Sequence, residues 1–216
     1  MYQEFPAYGI NHFYSPQEKK PTVVFCIPGN NFSSDFVNGW TSTLFYFINN
    51  PSFVQPQYMN SNISNSNQEL FDLLKPVIVS DKVELFGGTW KYDFIFIINP
   101  RCNFDITSVL NLFYEICHNK DFNVLSALVY EDDTTNLYKN NEKVSKNMVD
   151  TELSEMKYLE TDAIDFDFVL IKNDILEKID FSIFPSDNIN IELSKQIRSL
   201  GYCLNVNKDI VIKKGL

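Results

Sequence analysis

The 216-residue sequence predicts an α/β fold with a mainly parallel central sheet and helices on both sides. Three observations carry that expectation. Short apolar runs rich in β-branched residues recur along the chain, segments with apolar residues at helical spacing lie between them, and turn or capping residues separate the two. Strands that alternate with helices in this way return to one sheet through crossover connections, which is how parallel sheets are built.

The first unit begins at "TVVFCI", residues 22–27, a buried-strand run bounded by Pro21 and by Pro28-Gly29. Phe36, Trp40, Leu44 and Phe47 then recur at helical spacing, with Ser33 or Ser34 as N-cap and Asn49-Asn50-Pro51 as the stop. The polar, low-complexity "VQPQYMNSNISNSNQ", residues 54–68, predicts a loop, and "QELFDLLK" after it a short helix that Pro76 ends. A second unit follows, with "YDFIFII" as strand and "DITSVLNLFYEICHN" as helix. Asp105 caps that helix, and Val109, Leu112, Phe113 and Ile116 share one face.

"NVLSALVY", residues 123–130, predicts a further central strand. The charged, weakly periodic residues 131–162 predict an excursion of loops and edge strands over one face of the sheet. "FDFVLIKNDILEKI" reads as a strand running into a short helical turn. From Pro185 the pattern gives a helix capped by Asp187 with Ile191, Ile197 and Leu200 inward, Gly201 as its C-terminal cap, and a last strand.

Length and composition favour one domain spanning residues 1–216, since 44% hydrophobic and 15% aromatic residues supply a sizeable core. The formal net charge of −10 argues against non-specific binding of nucleic acid or anionic membrane, because polyanions repel an acidic surface. Cys26, Cys102, Cys117 and Cys203 show no metal-ligand spacing and read as thiols of a reducing compartment. The first 20 residues lack the basic and apolar regions of a leader, and no run is long and apolar enough to span a bilayer. A cytoplasmic location is expected. Abundant Asn, Phe, Ile, Tyr and Lys beside only two arginines, Arg101 and Arg198, point to an AT-rich genome.

In parallel sheets ligands bind beyond the carboxyl ends of the strands. "PGNN" after the first strand and "NPR" after "YDFIFII" stand at such ends. Four segments in order then resemble the GT-A fold nucleotide-sugar glycosyltransferases, in particular the small single-domain kind of some bacteria and large viruses. They are "VVFCIPGNNFSSDFVNGW", "YDFIFIINPRCNF", "FDFVLIKNDILEKI" and "FPSDNINIELSKQIRSLGYCLNVNKDIVIKKG", and together they cover residues 22–215. The resemblance implies a single GT-A-like, Rossmann-like domain. It also implies transfer of a sugar from a nucleotide-sugar donor to a glycan or protein hydroxyl acceptor.

In that family a DxD pair holds a divalent cation against the donor diphosphate. Here Asn99 and Arg101 fill the two aspartate slots, and Lys213 stands where a histidine closes the metal site. The divalent-metal ligands of the family are absent, so no cofactor is expected. Two consequences stay open. Arg101 and Lys213 converge on the leaving diphosphate as fixed charges, with Pro28, Gly29, Asn30 and Asn99 shaping the donor site, or the site has decayed. In the second case the fold serves as a pseudo-glycosyltransferase, a structural or assembly protein of viral kind with a protein partner.

Asp187 matches the second acidic residue of the family's pair, the general base toward the acceptor, and equally fits a plain helix N-cap. Asp167 replaces a glycine beside the donor sugar and crowds it, and Asn67 stands near an expected donor-binding arginine. Asp132 and Asp133 read as surface carboxylates; His12 and His118 are isolated.

Overall fold

The structure, a computed structural model, describes residues 21–29, 31–50, 93–152, 155–180 and 188–215, with 55–60 as backbone alone. Strand β1 (Thr22–Ile27) leads into helix α1 (Ser34–Asn49), β2 (Gln55–Asn60), β3 (Phe94–Ile98), β4 (Cys102–Asn103) and α2 (Ile106–His118). Then come β5 (Val124–Glu131), β6 (Thr134–Lys139), β7 (Glu142–Ser145), α3 (Lys146–Glu152), β8 (Tyr158–Glu160) and β9 (Ala163–Ile164). The chain closes with β10 (Phe168–Lys172), α4 (Asn173–Leu176), α5 (Ile189–Ser199) and β11 (Leu204–Lys214).

The main sheet has the order β2-β1-β3-β10-β5-β11-β4. β1 runs parallel to β2 and β3, and β11 parallel to β5. β10 is antiparallel to both β3 and β5, so those two share one direction. Five of the seven strands on this path therefore point the same way, which makes the sheet mainly parallel. With helices against both faces this is the α/β layer that the sequence predicts.

Strand alternation divides the core. Val23, Phe25, Ile27, Phe94, Phe96 and Ile98 face α1 and α2, and meet Phe36, Phe47, Leu112 and Phe113 there. Val24, Cys26, Ile95 and Ile97 face the other side, with Ile175 of α4 and Leu193 and Ile197 of α5. A two-residue period sends consecutive side chains to opposite faces, so a strand buried on both must be apolar throughout. β1 and β3 meet that demand with five apolar buried residues each, Val23 to Ile27 and Phe94 to Ile98, and the buried Thr22 hydroxyl at the start of β1 donates to Asp93.

Capping follows local chemistry. The Ser33 hydroxyl accepts from Phe36 N–H at 3.1 Å and the Asp105 carboxylate from Ser108 N–H at 2.8 Å, each satisfying an otherwise orphaned helix donor. Gly201, at φ +87°, ends α5 in the left-handed region that favours glycine.

Three expectations change. Residues 55–60, read as loop, form a strand in parallel register with β1, Val23 beside Pro56, at the edge of the sheet among the described residues. An edge strand bonds on one side only and tolerates proline and polar residues, so it shows no buried-strand pattern. The N-cap of α5 is Asn188, whose side chain accepts from Ile191 N–H at 3.3 Å; Asp187 lies outside the described residues. The inward face of α5 is Ile189, Leu193 and Ile197, spaced four apart, while Ile191 is half-buried and Leu200, the C-cap, is exposed; residues 191 and 197 stand six apart, about 120° around the helix, and do not share a face.

Residues 131–162 contain β6, β7, α3 and β8, with β6 joined to β5 and β7. The β6–β7 turn is Asn140-Asn141, both at positive φ (54° and 65°), the conformation of a type I′ hairpin. The helix expected over "QELFDLLK" lies outside the described residues. No helix among the described residues is long and apolar enough to cross a membrane.

Candidate functional site

Four strand ends meet at one edge of the sheet. β3, β5 and β11 finish there, at Ile98, Glu131 and Lys214, and the antiparallel β10 starts there at Phe168. The residues just beyond carry the site. Asn99 Nδ2 donates to Asp167 Oδ1 at 2.7 Å, and its Oδ1 accepts from Arg101 N–H at 3.0 Å. Ser33 N–H donates to the Pro100 carbonyl at 3.1 Å, tying the loop after β1 to the tip of β3. Gly29, on that loop, is buried with φ 101°, a conformation costly for any residue with a Cβ.

Six charged side chains then interlock. Arg101 Nη2 contacts Glu131 Oε1 at 3.0 Å, and Lys214 Nζ contacts Glu131 Oε2 and Asp167 Oδ2, each at 3.2 Å. Lys143, carried in by the β6–β7 hairpin, reaches Asp165 Oδ2 at 2.9 Å and Glu131 Oε2 at 3.7 Å. Asp165 Oδ1 also accepts from Tyr138 Oη at 2.9 Å and from Asn190 Nδ2, in the first turn of α5, at 3.0 Å. Three cations thus face three carboxylates.

Depth differs across the group. The side chains of Lys214 and Asp167 are each 9% exposed and form the floor, whereas Arg101, Glu131 and Lys143 are 30–33% exposed and form the rim. Burial pushes the Asp167 carboxyl above its ordinary value, with Lys214 and Asn99 opposing. Burial alone would lower Lys214, but Asp167 and Glu131 more than reverse this and hold its ammonium above the usual lysine value. Glu131 would rise on burial; Lys214, Lys143 and Arg101 bring it below the ordinary carboxylate value.

Among the residues singled out in the sequence, Asn99 and Arg101 come together here, with Pro28 and Gly29 on the adjoining loop. Asn30 and Asp187 lie outside the described residues, as do Asn67 and His12. The convergence expected of Lys213 belongs to its neighbour. Lys213 is exposed and pairs across the ladder with Asn103, while Lys214 follows Ile210 and Ile212 onto the inner face. The buried alternation of "IVIKK" carries that parity, and a motif alignment that stops at the first lysine misses it. Glu131, Lys143 and Asp165 left no sequence signal, because strands far apart in the chain assemble them. Asp167 occupies the sheet end as an ion-pair partner. His118 stacks on Tyr114 at the end of α2.

A divalent ion fits this set poorly. Hard cations take several free oxygen ligands, yet each of the three carboxylates already holds an ammonium, Asp167 and Glu131 that of Lys214 and Asp165 that of Lys143. Among the described residues no group of three or more His, Cys, Asp or Glu side chains is placed to hold a metal.

No protein-family model and no curated protein matches the chain. Solved structures do. A197 from STIV superposes with a TM-score of 0.52 at 12% identity, over 87% of this chain and 82% of that one. GalNAc-T7, solved with UDP, GalNAc and Mn2+, superposes with a TM-score of 0.53 at 11% identity over 92% of this chain. The chain spans 44% of the length of GalNAc-T7. At such identities the likeness is one of fold, and the chain has the GT-A-like α/β fold.

Proposed function

We propose that the protein binds a nucleotide-sugar and transfers its sugar to a glycan or protein hydroxyl without a divalent ion. The observation that carries this reading is the Lys214 ammonium held between Asp167 and Glu131, with Arg101 on the other oxygen of Glu131. A fixed ammonium and guanidinium at the carboxyl ends of β3, β5 and β11 supply positive charge where a diphosphate leaving group develops negative charge. Arg101 addresses the diphosphate, Lys214 sets the charge of the floor, and Asn99 positions Arg101 through its backbone N–H. Pro28 and Gly29, on the loop tied to the tip of β3, are assigned the nucleotide end, a role that the resemblance extends to Asn30. Asp187 is the proposed base toward the acceptor; Asn190 of α5 reaching Asp165 supports a helix start that faces the cluster.

A second reading is favoured by one specific observation. The six charges neutralise one another within the site, as they would in a pseudo-glycosyltransferase whose fold serves a protein partner.

Calorimetric titration of UDP, GDP and their sugars in EDTA, repeated with Mn2+, tests the transferase reading. One nucleotide-sugar should bind in EDTA, be unaffected by Mn2+, and lose at least about tenfold in affinity in Arg101→Ala, the size of one or two charge-assisted hydrogen bonds. Absence of binding at millimolar ligand in both conditions would sink it and leave the pseudoenzyme.

A further inference from the structure

Glu131 is the one carboxylate of the cluster that all three cations touch: Arg101 at 3.0 Å, Lys214 at 3.2 Å and Lys143 at 3.7 Å. Asp165 and Asp167 each take one. Glu131 also stands at the rim, 30% exposed, on the last residue of β5 before a two-residue turn. Its side chain is open to solvent on one side, whereas that of Asp167, 9% exposed, lies on the floor.

We infer that Glu131 is an internal stand-in for a diphosphate, seated in an anion receptor made by Arg101, Lys143 and Lys214, and that a diphosphate ligand binds by displacing it. This names the ligand group of the site proposed above and rests on that reading for the ligand's source. Asp165 and Asp167 each keep one lysine, so the cluster is balanced only while Glu131 is in place, and swinging Glu131 out leaves one net positive charge with Arg101 separated from its carboxylate in the cluster. A diphosphate brings more charge and several acceptor oxygens, and Arg101 offers it a planar fork while the two lysines act as point charges. The exposure of Arg101 and Lys143, 30% and 33%, leaves both reachable from solvent once the carboxylate swings out. The wild-type affinity is then the intrinsic affinity reduced by the fraction of molecules in which Glu131 is displaced.

Glu131→Gln removes the competing charge and keeps the side-chain length. Calorimetry in EDTA with inorganic pyrophosphate, UDP and GDP should show binding to this variant at least about tenfold tighter than to the wild type, as freeing an occupied receptor requires. The gain should vanish in Arg101→Ala/Glu131→Gln. Asp174→Asn, in α4 just past the far end of β10, makes the same change in net charge and should leave affinity unaltered. If Glu131→Gln melts too low to titrate, Glu131→Asp, whose carboxylate retracts from the rim, should give an intermediate gain.

Equal or weaker binding after Glu131→Gln, an equal gain in Asp174→Asn, or no binding by any form overturns the inference. Pyrophosphate bound as tightly as the nucleotides assigns the receptor to the phosphate group alone, and tighter nucleotides assign it to the donor. Pyrophosphate binding gained in Glu131→Gln, with no nucleotide-sugar bound by any form, would defeat the transferase reading and keep this one.

Discussion

At the scale of single residues, Lys214 couples stability to chemistry. Its side chain is 9% exposed and bridges two carboxylates, one of them as deeply buried as itself. Lys214→Met would leave Asp167 without its cation in a low-dielectric floor, a loss of about 3–5 kcal/mol for breaking a buried pair. Chemical denaturation should report it. Asp167→Asn in the same background should recover much of the loss, since the stranded charge is then gone.

The pH dependence follows from Lys214 and the two carboxylates it bridges. Lys214 is raised in the folded state, so its contribution is fully present below the unfolded lysine value of about 10.4 and is lost as pH climbs through the folded value. Glu131 is lowered, so its contribution is present above about 4.3 and is lost as pH falls. Asp167 is raised by burial and works against Glu131 in acid. Lys157, Tyr130, Tyr138 and Tyr158 are raised as well and share the alkaline limb, so Lys214→Met should make that limb shallower in pH-dependent melting without abolishing it.

At the scale of elements, α1 docks through Gly39. A Cβ there would land on the Phe104 carbonyl oxygen, backbone that cannot step aside as a side chain can. Gly39→Ala should destabilise by about 2–3 kcal/mol despite alanine's better helix propensity, because overpacking against fixed backbone outweighs it. A lowered melting temperature checks this. The elements also show what a sequence reveals. Ser33, Asp105 and Gly201 mark helix ends through local bonds, so the bounds of α1 and α2 are legible from neighbours within four residues. β2 escaped because an edge strand needs no apolar period. Lys213, the lysine the sequence points to, stands one residue before Lys214, which reaches the cluster, and on a strand one residue is the difference between the inner face and solvent.

At the scale of the whole molecule, the antiparallel β10 between β3 and β5 makes the site. It brings Asp165 and Asp167 from late in the chain against Asn99 and Glu131, and β11 adds Lys214 from the far terminus. Behind that edge, Phe96 sits on β3 between Phe25, Phe113 and Phe168, with ring centroids 5.0–5.7 Å away. Phe96→Ala should cost about 3–5 kcal/mol by emptying this aromatic centre. Its effect should be global, seen as one cooperative transition shifted to lower denaturant.

The sequence alone determined the alternation of strands and helices, the caps of α1 and α2 and the doubly apolar strands, since each depends on residues a few positions apart and on local sterics. It also placed Asn99 and Arg101 at a strand end where ligands bind in such sheets. Only the tertiary structure decided which cation meets which carboxylate. Arg101, Glu131, Lys143, Asp165, Asp167 and Lys214 are gathered by sheet order and register, and ion pairing over a few ångströms depends on those long-range choices rather than on proximity in the chain.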